Sequence, residues 1–236
     1  MDSIRIAKYI NTSGYCSRRK AEDLIAQGRV QINNITIDSP VNFIGPRDVV
    51  KVDGQIIKPM QDEVQLWAYY KPKGLIISHD DPQNRPTIFA HLPSFLPRVV
   101  SIGRLDINSE GLLLLTNSGH LANKIAIPSN NYKRIYKVRA RGMSDEAMRE
   151  FDRINDGLII EGINTKPIKI EIITNQGYNN WFELTLTEGK NREIRRLFEY
   201  LGLEVNRLIR TDFGPFNLPE DMREGDVRKL DINKII

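Results

Sequence analysis

Gly103-Arg-Leu-Asp-Ile-Asn-Ser-Glu-Gly-Leu-Leu-Leu-Leu-Thr-Asn-Ser-Gly119 decides the fold. Four leucines in a row, Leu112 to Leu115, closed by Thr116, Asn117 and Gly119, predict a short strand buried on both faces. Ahead of it runs a polar loop carrying one carboxylate, Asp106, two residues after Arg104. A loop that delivers an acid to the mouth of a buried strand is a good place for a site, because the strand is a rigid support. Asp is also a common turn residue, since its side chain bonds nearby backbone amides. The segment alone leaves both readings open.

Outward from this segment, the chain alternates strands and helices. Leu66 to Tyr70 predicts a strand ended by Lys71-Pro-Lys-Gly, and Val99 to Ile102 a strand leading into the opening segment. Leu121 to Ala126 predicts a short helix stopped by Pro128. From Arg134 to Arg141 the pattern has period two, with Tyr136, Val138 and Ala140 on one face. A helix is expected from Ser144-Asp-Glu to Ile154, then strands over Leu158 to Ile160, Lys166 to Thr174 and Trp181 to Thr187. Asn191 is the expected cap of a helix whose apolar face is Ile194, Leu197, Phe198 and Leu201, followed by a strand over Val205 to Ile209. This order predicts an α+β domain built on a mainly antiparallel, mixed sheet.

Residues 1–58 read as a separate small module. Ile4, Ala7 and Ile10 fit one face of a short helix. Ser17 is placed to cap a second helix with the stripe Ala21, Leu24 and Ile25, and Gly28 falls just past its end. Val30 to Ile37 reads as a hairpin turning at Asn33-Asn34, and Asp48 to Ile56 as strand, Asp-Gly turn and strand. Residues 59–65 are the expected linker, and 66–236 the second domain.

Size and composition set outer bounds. The 236 residues carry a net charge of +4 and a pI near 9.1, which permits nucleic-acid binding without requiring it. One cysteine, Cys16, excludes an internal disulfide framework and suits a cytoplasmic location; with three histidines it makes no zinc cluster. No run of eighteen apolar residues is present, so no membrane span is expected, nor does the N-terminus read as a secretory signal. A monomer is expected, because no apolar stripe asks for a partner.

The cations are grouped: Arg18 to Lys20, Lys71 to Lys73, Lys133 to Arg141 and Lys190 to Arg196. Arg18, Arg19 and Lys20 fall in the first turn of a helix, where positive charge opposes the helix dipole. Such a mismatch fits presentation to an anionic partner. Arg192, Arg195 and Arg196 share a helix surface by their spacing. An arginine beside Asp106 would keep that carboxyl ionised.

The first module resembles the alpha-L RNA-binding motif named after a small-subunit ribosomal protein. The match rests on Ile4-Arg-Ile-Ala-Lys-Tyr-Ile, Ser17-Arg-Arg-Lys-Ala-Glu-Asp-Leu-Ile, Gly28-Arg-Val-Gln-Ile-Asn-Asn and Asp48-Val-Val-Lys-Val-Asp-Gly. That resemblance implies phosphate contacts from Arg18, Arg19, Lys20 and Arg29. The second domain resembles the ribosomal RNA pseudouridine synthases. The opening segment is similar to their catalytic loop, and Lys71-Pro-Lys-Gly, Asp81-Pro-Gln-Asn-Arg-Pro-Thr, Arg134-Ile-Tyr-Lys-Val and Glu188-Gly-Lys-Asn-Arg-Glu-Ile-Arg-Arg-Leu follow in the family's order. Ser109 stands where a Thr is frequent, and is expected to serve the same loop-capping purpose.

The resemblance implies that Asp106 is the catalytic carboxylate, that Tyr136 stacks on the target base, and that Arg195, or second Arg192, forms a salt bridge with Asp106. It implies RNA contacts from Arg104, Lys71, Arg192 and Arg196. No cofactor or metal is implied. The partner would be ribosomal RNA or a pre-ribosomal particle. The C-terminal motifs are most similar to the family members that modify the large ribosomal subunit, which points to 23S rRNA; the members that modify 16S rRNA are the alternative. A non-catalytic RNA-binding assembly factor would share the module and the cations but has no use for Asp106. A glycosidase acting on free nucleosides would have no use for the module.

Overall fold

The computed structural model describes residues 3–59, 63–79, 81–142, 145–157, 159–160, 163–174 and 178–235. Internal contacts divide the chain into two units, Met1–Glu63 and Val64–Ile236. The middle of the expected linker, Ser144 as a helix start and Leu158 as a strand start lie outside the described residues.

In the first unit, β1 (Ile4–Arg5) leads into α1 (Ile6–Thr12) and α2 (Arg18–Ala26), followed by β2 (Val30–Ile32), β3 (Ile35–Ile37), β4 (Phe43–Ile44), β5 (Val50–Val52) and β6 (Gln55–Ile57). Ile4 does not start the helix: it pairs with Ile44, and Ile6 takes its place on the buried face with Ala7 and Ile10. Ser17 caps α2 by accepting the Lys20 N–H at 3.2 Å. The hairpin turn has Asn33 and Asn34 both at positive φ, 54° and 67°, as a tight two-residue turn requires. A core of Ile6, Ile10, Ala21, Leu24, Ile25, Val30, Val50 and Val52 closes between the helices and the four-stranded sheet β3-β2-β5-β6.

The second unit runs β7 (Leu66–Lys71), α3 (Ile88–His91), β8 (Val100–Ile102), β9 (Glu110–Thr116), α4 (Gly119–Ala126), β10 (Arg134–Arg141), α5 (Asp145–Asn155), β11 (Ile159–Ile160), β12 (Ile163–Asn164), β13 (Lys169–Thr174), β14 (Asn179–Leu186), α6 (Glu193–Tyr200), β15 (Glu204–Phe213), β16 (Phe216–Asn217) and β17 (Val227–Leu230). Its nine-stranded sheet has the order β13-β14-β10-β15-β9-β7-β17, with β16 on β15 and β8 on β9. Among the described ladders of this sheet, β9 against β15 is parallel and the rest are antiparallel.

β9 is buried along its whole length. Its leucines alternate between two cores, as successive strand residues must. Leu113 and Leu115 pack with Tyr136, Val138, Phe182, Ile194 and Phe198 on the face covered by α5 and α6. Leu112 and Leu114 pack with Leu121, Ile125 and Phe213 on the face covered by α4. Each such fully buried leucine contributes about 1.5–3 kcal/mol of transfer free energy. The strand that follows Asp106 is therefore held from both sides and along both edges.

The parallel pair β9/β15 is unusually close. Gly111 sits opposite Arg210 with φ of 98°, and a Cβ there would lie 2.3 Å from the Arg210 carbonyl oxygen. Only glycine accepts both the backbone angle and the approach. Beside it, the buried Glu110 carboxylate takes hydrogen bonds from Arg207 Nε at 3.0 Å and Nη2 at 2.7 Å.

Candidate active site

Asp106 lies on the loop between β8 and β9 and is half-buried, with Leu105 buried beneath it. The loop turns back at once: the Ser109 N–H donates to the Asp106 carbonyl at 3.0 Å. The turn is held from below by Lys71, the last residue of β7. Lys71 is fully buried, and its ammonium donates to the carbonyls of Pro72 at 2.9 Å, Ile107 at 3.4 Å and Ser109 at 2.9 Å. Burial pushes the Lys71 amine down to about 8, with Glu110 and Asp106 pulling the other way. This corrects the expectation of an RNA contact. With its donors turned onto backbone carbonyls, Lys71 holds the Asp106 loop and is out of reach of a polyanion.

Above the loop is a pocket of about 260 Å³. Asp106, Arg104 and Ser109 form one side, and Tyr136, Leu186 and Leu208 come from the sheet. Residues 188–195 close the other side. Tyr136 is buried on β10, flanked by Leu184 of β14 and Arg210 of β15. Its ring thus faces the pocket from a strand fixed on both edges.

Arg195, on α6, does not form the expected salt bridge. Among the described residues, no ion pair within 4.0 Å joins Asp106 to Arg195 or to Arg192. Arg195 Nη2 instead donates to the Asn108 carbonyl at 2.8 Å, inside the Asp106 loop, and Nη1 to the Val205 carbonyl at 3.5 Å. Burial lowers the Arg195 guanidinium below the usual arginine range, nearby Arg192 adds to this, and the Asp106 carboxylate opposes it. The attraction is thus present without a direct contact. The backbone of the loop competes for the guanidinium, and sequence spacing carries no sign of that. Arg195 Nε is buried with no protein partner.

The start of α6 also departs from expectation. Asn191 is not its cap. Arg192 occupies that position in a left-handed conformation, φ 51°, with no side-chain cap. The role passes to Glu193 in the first helical turn, whose Oε2 accepts the Lys190 N–H at 3.0 Å. Glu193 is buried, and burial, reinforced by neighbouring Glu188, pushes its carboxyl up to about 7. Glu188 is lowered: burial works to raise it, but the Lys166 N–H at 2.8 Å and the Lys190 ammonium at 3.0 Å outweigh that.

The pocket therefore gathers Arg104, Asp106, Tyr136, Arg192 and Arg195. Arg196 is not part of its lining. Arg18, Arg19, Lys20 and Arg29 belong to the first unit. There the first three are exposed on α2 with no acid in the first turn, whereas Arg29 is engaged by Asp53 in a bidentate pair at 2.7 Å. Sequence reasoning missed Leu186, Leu208, Glu188 and Glu193 as lining residues. Leu186 carried a signal, since it continues the buried period-two face of β14, whereas Leu208 is turned inward by a bulge between Val205 and Arg207 that the sequence period does not show. Among the described residues, no group of three or more His, Cys, Asp or Glu is placed to hold a metal ion, and no helix is long and apolar enough to cross a membrane.

A carboxylate on a braced loop, facing an aromatic ring across a small cationic pocket, is matched by a known family. The family described as RNA pseudouridylate synthase matches residues 65–200, and the S4 domain matches residues 4–50. The chain belongs to the RNA pseudouridylate synthase family. It is 49% identical over 232 residues to an uncharacterized RNA pseudouridine synthase of Rickettsia felis, covering 98% of both chains. It is 37% identical over 238 residues to the ribosomal large subunit pseudouridine synthase B of Yersinia pestis, covering 97% of this chain and 73% of that one. Among solved structures, a pseudouridylate synthase superposes with a TM-score of 0.67 at 30% identity, covering 99% of this chain and 98% of the other. The archaeal box H/ACA Nop10–Cbf5 complex shares the fold at 18% identity and a TM-score of 0.51 over 68% of this chain. This pseudouridine synthase thus joins an S4 RNA-binding domain to a catalytic fold with a mixed, mostly antiparallel sheet.

Proposed function

We propose that this pseudouridine synthase isomerises a uridine of 23S ribosomal RNA, in the cytoplasm, as a monomer and without cofactor or metal, with Asp106 as its catalytic carboxylate. The observation that carries the reading is the convergence of Asp106, Tyr136 and Arg195 on one pocket from three separate elements. The 23S assignment is supported by relatives named for the large ribosomal subunit, such as that of Yersinia pestis.

The reaction breaks the bond between uracil N1 and the sugar, turns the base, and joins carbon 5 to the sugar. Carbon 5 loses a proton and N1 gains one, so no redox change occurs. An ionised carboxylate starts this either by attacking the sugar, as in retaining glycosidases, or by taking a proton from it. Reaching the sugar carbon requires taking the base out of its stack. The Tyr136 ring then replaces the lost stacking, worth roughly 1–3 kcal/mol per base. Arg195 holds the Asn108 carbonyl and Lys71 those of Ile107 and Ser109, so the loop presents Asp106 without rearranging. Arg104 and Arg192, exposed at the pocket, face the RNA backbone.

The test is to map pseudouridines in ribosomal RNA from cells with and without the protein, and with Asp106→Asn. One 23S site is expected to vanish in the deletion and in the Asp106→Asn strain. A lost site in 16S RNA would move the substrate, and an unchanged map would remove the enzymatic reading.

A further inference from the structure

Glu188 and Glu193 meet around Lys190 at the pocket wall: Glu188 Oε1 accepts from the Lys190 ammonium at 3.0 Å and Glu193 Oε2 from the Lys190 N–H at 3.0 Å. Two neighbouring carboxylates offer each other only acceptors, and are relieved when one of them carries a proton. The rest of the geometry identifies the owner. Glu188 is served by donors, the Lys166 N–H and the Lys190 ammonium, and so is the anion. Glu193 uses Oε2 for the Lys190 N–H, while its Oε1 is buried with no donor reaching it. A hydroxyl at Oε1 directed to Glu188 accounts for that otherwise orphaned atom. The pair also closes a tight turn. The Glu193 N–H donates to the Lys190 carbonyl at 3.3 Å, and Arg192 between them is left-handed.

We propose that Glu188 and Glu193 share a single proton that latches the 188–193 loop into the pocket wall, making Glu193 a positioning residue for Arg192 and Arg195. The charged groups facing the pair are Lys190 of the same loop and Arg134 of β10, whose guanidinium packs against Gly189 and interacts with both carboxyls; the Lys166 N–H comes from the segment ahead of β13. Losing the proton would put the buried Glu193 anion beside the half-buried Glu188 anion, and the turn would open.

The linkage has a definite sign. The Glu193 carboxyl is raised from 4.5 to about 7 in the folded chain, so the stability this proton contributes is full below 4.5 and is lost as pH rises through about 7. The full-length protein with 13C-labelled glutamate carboxyls should show one resonance titrating near neutrality, well above the other glutamates. Glu193→Gln, whose amide can donate to Glu188 and accept from Lys190, should abolish that titration and flatten the fall in Tm across the same window. Should that variant fold poorly, Glu188→Gln removes the neighbouring anion and should move the Glu193 midpoint down. A wild-type protein with no glutamate titrating near neutrality, or a midpoint indifferent to Glu188→Gln, would overturn the latch.

The consequence for catalysis rests on the reading of the pocket as the synthase site. It is tested by the rate of pseudouridine formation on ribosomal RNA from cells lacking the protein. The wild-type rate should fall toward about tenfold per pH unit above the midpoint, and Glu193→Gln should lose that limb. An intact carboxyl titration with no pseudouridine formed at any pH would count against the enzymatic reading and leave the latch standing.

Discussion

The Lys71 ammonium stands 2.9 Å from the carbonyl oxygen of Ser109, three residues beyond Asp106, and is fully buried. A cation from one strand thus fixes the backbone of the loop that presents the acid of another. Lys71→Met keeps the length of the side chain and removes its donors. Three carbonyls would lose their shared partner, so stability should fall by about 1–3 kcal/mol. Turnover should fall further than RNA affinity, because the Asp106 loop is freed while the surface cations are untouched. Urea unfolding together with kcat and RNA-binding measurements checks both parts. Weakened RNA binding with normal turnover would restore Lys71 as an RNA contact.

Gly111→Ala is expected to destabilise on the order of 3 kcal/mol, from a positive φ combined with an overpacked backbone contact. Gly119→Ala is the matched control. A Cβ at Gly119, the first residue of α4, meets nothing within 4 Å, so that change should be neutral or stabilising by up to about 1 kcal/mol. Denaturation midpoints of the two variants should move in clearly different ways.

Arg207→Ala strips the buried Glu110 carboxylate of its bidentate partner. Arg207 is itself 41% exposed, so water softens the loss, and about 1–3 kcal/mol is expected. Adding Glu110→Gln to Arg207→Ala should recover part of it, since the unpaired charge is then gone. A double variant no more stable than the single one would show that the pair is not what holds the start of β9.

Neutralising Arg18, Arg19 and Lys20 together should weaken RNA binding and flatten its dependence on salt, because fewer counterions are released. All three are exposed on α2 and away from the core, so Tm should change little. Arg29→Ala should do less to the salt slope, as that guanidinium is already paired with Asp53. An unchanged slope in the triple variant would mean that this helix does not meet phosphates.

What the sequence made legible was whatever local chemistry enforces. The leucines of β9, the Ser17 cap of α2 and the Asn33-Asn34 turn each follow from a periodicity or a conformational preference, and each is found. Two of the misplaced features involve charged residues whose partners are distant in sequence. Lys71 reads as surface until the carbonyls of Ile107 and Ser109 are seen around it. Arg195 reads as a partner of Asp106 until the Asn108 carbonyl is found nearer. β15 runs to Phe213, beyond the expected end at Ile209, because pairing to β10 carries it on through polar positions.

The parallel ladder between β9 and β15 has a consequence for the life of the protein before it is finished. Its contacts span nearly a hundred positions, 97 for Arg207 with Glu110 and 98 for Arg210 with Leu112. Asp106 precedes one of these strands, and the helix bearing Arg195 precedes the other. A ribosome adding roughly 5–20 residues per second needs about 5–20 s to cover that interval. Throughout it, the nascent chain carries a complete S4 domain and an acid with no arginine opposite. RNA can be held by the emerging protein well before it can be altered, so chemistry waits on the last third of translation.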